Sequence, residues 1–217
     1  MSELDGLTYI QPREIETRSF QIISEELGPL ALSPAEQLVV KRVIHTTADF
    51  DYARTLCFTP HAVEQGIAAL AAGATVVTDT TMVAAGINKR VLGSFGGEVR
   101  TFIGDADVAE EARARGVTRS AIAMDRAAQL EGPVVFAIGN APTAMARLAR
   151  LVSDGALVNP ALVIGVPVGF VNVVESKELM MAAPVESIVA AGRKGGSNVA
   201  AAIVNALLYQ ASGDRRE

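Results

Sequence analysis

Apolar residues share one helical side along residues 12–27, where Ile15, Ile22, Ile23 and Leu27 line up behind Pro12. That spacing predicts a first helix opened by the proline. A second helix is announced by SPAE, with Ser33 as N-cap, Pro34 at the first position and Glu36 placed for a capping box. It runs through LVVKRVI to His45, and a third spans 61–72 and stops at Gly73. From there the period changes. Short β-branched runs at 74–78, 98–103, 133–138, 161–166 and 186–191 have strand length. Helical patterns at 80–87, 105–130 (two helices broken near Gly116), 140–154, 175–182 and 197–210 separate or follow them. This alternation predicts an α/β fold, one doubly wound, mainly parallel sheet of about five strands, in a single domain over 1–217.

In such sheets ligands bind beyond the carboxyl ends of the strands. The segments there are TDTTMVAAGINKR, GNAPT, GVPVGF and GRKGGS, all rich in glycine, small polar groups or cations. GRKGGSN at 192–198 is the most suggestive. Gly195 and Gly196 allow a ligand close to the backbone, the next helix offers N–H groups, and Arg193 and Lys194 add charge, which together make an anion site. A flexible turn with solvated cations is the plain alternative. The loop matches neither dinucleotide nor P-loop patterns. In GNAPT, Asn140 is placed as N-cap and Pro142 just inside the helix. Arg119 falls in a helix first turn, where the macrodipole disfavours a cation, so it calls for an outside partner such as a carboxylate, an ordinary structural acid included. Lys177 falls near another helix start beside GVPVGF.

Composition narrows the classes. Half the 217 residues are hydrophobic, only 5% are aromatic and Trp is absent, so the core is built from Ala, Val, Ile and Leu. A net charge of −5 with no basic stripe argues against nucleic acid. The single cysteine, Cys57, excludes an internal disulfide, and two histidines without paired thiolates give no metal site. No apolar run of about 18 residues exists to span a membrane, and MSELDGLTYI does not read as a signal peptide. A soluble cytoplasmic protein is expected. Of the two histidines, His45 lies on the flank of the second helix's apolar stripe and His61 at a helix start. His45 is open to two readings, a boundary histidine bonded to a neighbour or a general acid or base near neutral pH. Ser19 interrupts the apolar side of the first helix, and a serine there ordinarily bonds a carbonyl one turn back.

RSF at 18–20, HTTADFDYA at 45–53, TDTTMVAAGI at 78–87, TRSA at 118–121, AIGNAPTA at 137–144, GVPVGFVNVVESK at 165–177 and GRKGGSN at 192–198 change these odds together. In order and spacing they resemble the precorrin-8X methylmutase family of cobalamin biosynthesis, from about residue 9 to 210. The resemblance implies a three-layer α/β/α sandwich and an isomerase that moves a methyl group from carbon 11 to carbon 12 of ring C. The product would be hydrogenobyrinate, or cobyrinate where cobalt is already present. It also implies a homodimer with the site near the interface, and no cofactor. Carried over by position, the catalytic histidine is His45 and a substrate-contacting serine is Ser19. Thr46 and Thr47 resemble members that act on the cobalt-containing substrate. For a flat macrocycle fringed with carboxylates, Arg119, Lys177 and Arg193 suit the rim, with the backbone at Gly195 and Gly196. A non-catalytic corrinoid carrier and a nucleotide enzyme are the competing readings.

Overall fold

The computed structural model describes residues 10–11, 14–157 and 160–213. Pro12, the expected opening of the first helix, and the tail after Gly213 lie outside them. In chain order the elements are α1 (Ile15–Leu27), α2 (Pro34–Thr47), α3 (Tyr52–Thr55), β1 (Leu56–Phe58), α4 (Ala62–Ala71) and β2 (Thr75–Thr78). Then come α5 (Thr81–Gly86), α6 (Lys89–Ser94), β3 (Val99–Arg100), α7 (Ala106–Arg115), α8 (Arg119–Ala127) and β4 (Val134–Ile138). The chain closes with α9 (Pro142–Ser153), β5 (Pro160–Gly165), α10 (Val173–Met181), β6 (Ser187–Ala190) and α11 (Ser197–Ser212).

The strands form one six-stranded sheet in the order β1-β6-β5-β4-β2-β3. Five are parallel; β1 runs antiparallel to β6. Successive residues of a strand point to opposite faces, and the two apolar cores separate by that period. Val76, Val135, Ala137, Leu162 and Ile164 face one core with α2, α4 and α11. Val77, Val134, Phe136, Ile138 and Val163 face the other with α8 and α9. All of β4 is buried, as expected for a strand covered on both sides. The result is the three-layer α/β/α sandwich.

The capping box forms as read: Ser33 accepts from the Glu36 amide, and the Glu36 carboxylate accepts from the Ser33 amide at 2.7 Å. Gly116 ends α7 in the left-handed conformation, at φ 63°, and so breaks the 105–130 pattern in two. Two differences stand out. The run at 98–103 pairs only over Val99 and Arg100, because beyond them Phe102 leaves the sheet for the core beneath. The sixth strand, Leu56–Phe58, is three residues with Cys57 facing solvent, too short to show a period.

Candidate active site at the carboxyl edge of the sheet

The strand order reverses between β2 and β4, and the crevice at their carboxyl ends is where doubly wound folds hold ligands. Here a side chain fills it. Asp79, wholly buried just after β2, accepts the amides of Gly139 (3.0 Å), Asn140 (2.8 Å) and Ala141 (2.7 Å) after β4. Burial pushes its carboxyl above the ordinary value, and the three backbone bonds oppose that rise. Asn140 is therefore not the cap of α9. Ala141 holds that position without a side-chain bond, and the Asp79 carboxylate serves the turn instead. In sequence Asp79 carries one signal, an aspartate directly after a β-branched strand.

The neighbouring strands β5 and β6 bring GVPVGF and GRKGGS side by side. Gly196 donates to the Val166 carbonyl at 2.9 Å and Gly169 to the Arg193 carbonyl at 3.3 Å. A Cβ on Gly195 would stand 2.1 Å from the Val166 oxygen and 2.8 Å from that of Pro167. The close approach that needs glycine there is loop against loop. Gly196, at φ 138°, takes a conformation that side chains disfavour. Lys177 is also placed differently from its expected rim position. It is wholly buried, and its ammonium donates to the Gly192 and Lys194 carbonyls, each at 2.8 Å. Burial lowers it to about 8, while the two carbonyls fix the loop from beneath. Arg193 stays exposed, makes no ion pair among the described residues, and rests its guanidinium 5.6 Å from the Phe170 ring.

The antiparallel strand β1 brings the end of α2 to this edge, since the Ala191 amide just after β6 donates to the Thr55 carbonyl just before β1. Ala48 turns the chain left-handed at φ 54°, and Lys194 bridges Asp49 (2.6 Å) and Asp51 (2.7 Å). Both of Lys194's bonds hold its proton more tightly, and they keep the Asp51 carboxyl below its usual range. His45 sits one turn before Asp49, exposed on one side and stacked on Phe20 of α1 with ring centroids 5.3 Å apart. Partial burial and the Arg42 charge lower its pKa, and Glu16 opposes them. Ser19, beside Phe20, donates to the Ile15 carbonyl at 2.8 Å, the local bond expected of a helical serine.

The fold thus draws Lys177, Arg193, Gly195 and Gly196 into one loop cluster, tied through Lys194 to the segment after His45. Ser19 reaches His45's surroundings through its neighbour Phe20. Arg119 is exposed in the first turn of α8 and makes no ion pair among the described residues. Its helix is held to that of α9 by Thr118 and Thr143, 2.9 Å apart. Val168, Phe170 and Val171 leave an apolar surface on the β5 loop, with Phe170 83% exposed. No three His, Cys, Asp or Glu side chains among the described residues are grouped to hold a metal ion, and no described helix is long and apolar enough to cross a membrane.

Comparison with known proteins meets this geometry. The family described as precorrin-8X methylmutase matches residues 14–210. The cobalt-precorrin-8 methylmutase of Salmonella typhimurium is 49% identical over 205 residues, 92% of this chain and 95% of that protein. The precorrin-8X methylmutase of Pseudomonas aeruginosa is 44% identical over 198 residues, 89% of this chain and 93% of that one. The crystal structure of the Thermus thermophilus precorrin-8X methylmutase superposes with a TM-score of 0.84 at 42% identity, covering 92% of this chain and 98% of that one.

Proposed function

The chain belongs to the precorrin-8X methylmutase family, and we propose that it catalyses that family's isomerisation in cobalamin biosynthesis. A methyl group leaves carbon 11 and bonds to carbon 12 of ring C within one corrin precursor. The observation that carries this reading is the family match along residues 14–210. The chemistry fits an intramolecular shift, which gains or loses no atoms and needs no oxidant. It needs a polarised π-system and a substrate held in one orientation.

In this reading His45 donates a proton or hydrogen bond to a ring nitrogen, favouring the rearranged conjugation. A general acid so placed contributes about 10²–10⁴ in rate. Ser19 turns its hydroxyl from the Ile15 carbonyl toward the substrate. Arg193, exposed and without an ion pair among the described residues, meets a rim carboxylate, with Phe170 beneath its guanidinium offering an apolar face to the macrocycle. Backbone at Gly195 and Gly196 lines the same edge, and Arg119 takes a more distant carboxylate. Lys177 acts from below, by shaping the loop that carries Arg193. The active form is a homodimer with the site near its interface, a reading supported by the exposed Val168, Phe170 and Val171. Thr46 and Thr47 favour the cobalt-containing substrate.

A nucleotide has no place in the β2–β4 crevice, because the Asp79 carboxylate already takes the three amides a phosphate would use. The test is to incubate the protein with precorrin-8X and with cobalt-precorrin-8 side by side. The expected result is the spectral change of the shifted conjugation, faster with the cobalt form. Tight binding of both without conversion would make the protein a corrinoid carrier instead.

A further inference from the structure

His45 is backed by more than its own helix. Its ring stacks on Phe20 with planes 20° from parallel. Phe20 in turn carries the Arg42 guanidinium 4.6 Å from its centroid, and the same guanidinium lies 5.2 Å from the Tyr209 ring of α11. Arg42 also pairs with Glu16, one turn before Phe20 on α1. One side chain therefore joins α1, α2 and α11 beside the histidine, and its own exposure is only 12%. A planar, delocalised cation can lie on aromatic rings and still present a fork to a carboxylate, which an ammonium cannot do. If helix packing were the only need, an apolar side chain would serve without desolvating a charge.

We infer that Arg42 is a positioning residue for the reaction: through Phe20 it fixes the plane of the His45 ring. The inference rests on His45 being the proton donor, and it assigns the group that aims it. Among the described residues, Arg42 on its own helix and Glu16 on α1 act on the His45 charge, in opposite senses. Arg42 makes the imidazolium a readier acid, and Glu16 limits the effect.

Proton NMR of the full-length protein tests this directly, because the chain has only two histidines. His61 serves as the internal reference. Its amide donates to Glu186 at 3.1 Å, a bond independent of the stack, so an unmoved His61 signal reports an intact fold. The His45 ring protons should lie upfield from the Phe20 ring current, and Phe20→Leu should remove that displacement. Arg42→Gln is expected to reduce it and raise the His45 pKa. Arg42→Lys should recover the lower pKa without recovering the displacement. Glu16→Gln should lower the pKa further, away from the free-histidine value, which unfolding cannot imitate. In turnover, Arg42→Gln should lower kcat with KM little changed. An Arg42→Gln protein whose His45 signals keep both their displacement and their pKa overturns the inference. If Arg42→Gln fails to fold, an Arg42→Lys protein whose His45 ring protons keep their full upfield displacement overturns it equally. Retained turnover in His45→Ala would instead defeat the donor assignment and leave the NMR result standing.

Discussion

At the scale of single residues, the proposed catalysis turns on which protonation state His45 carries. Partial burial and Arg42 place its pKa below the ordinary 6.5. The imidazolium needed for donation is therefore full below that lowered value and is lost as pH rises through it. The kcat/KM profile should accordingly descend above a pKa under 6.5, and a rising limb there would mark His45 as a base. The same shift carries a stability consequence. The unfolded histidine takes up its proton first, so the neutral ring's contribution is present above 6.5 and fades as pH falls toward the folded value. Ser19→Ala should be mild, about tenfold in rate for one hydrogen bond of roughly 1.4 kcal/mol. Asp79→Asn is a harsher change, since an amide nitrogen then meets backbone N–H groups that had an oxygen. It should cost about 1–3 kcal/mol, read as a Tm lower by roughly 2–4 °C per kcal/mol at this chain length.

At the scale of elements, the strand-end loops form a linked set. Gly195→Ala drives a Cβ against the Val166 and Pro167 carbonyl oxygens, and backbone cannot step aside as a flexible side chain would. The expected outcome is loss of turnover with a lower Tm; wild-type values would show that the two loops do not need their close approach. Lys177→Met leaves the Gly192 and Lys194 carbonyls without their donor, costing about 1–3 kcal/mol and loosening the loop under Arg193. Raised KM with a lowered Tm checks it. Much of this level was legible beforehand. The short apolar runs located β2, β4, β5 and β6 because a strand covered on both faces is largely apolar, and SPAE announced its helix because the capping groups adjoin in sequence. What escaped depended on distant partners. β1 is stabilised by β6, far along the chain, and three residues carry no period. Lys177 near a helix start reads as a cation for the macrocycle's rim until the loop folds over it, and Asp79 acquires its meaning only from the amides after β4.

At the scale of the whole molecule, the antiparallel strand β1 is what would let a largely parallel sheet host the proposed chemistry. β1 returns the chain so that α2 ends beside the carboxyl edge of β6, and the Lys194 bridge to Asp49 and Asp51 ties that end to the GRKGGS loop. The end of α2 that carries His45 is thereby tied to the loop of the exposed Arg193. The proposed homodimer would cover part of that edge. Sedimentation should give the mass of two chains, and Phe170→Glu should shift it toward one. A wild-type monomer with full turnover would contradict the dimeric site. His45→Ala, followed in one experiment for corrinoid binding and for conversion of cobalt-precorrin-8, tests the proton donor directly. Binding should persist while turnover falls by about 10²–10⁴. Conversion at the wild-type rate would contradict the account.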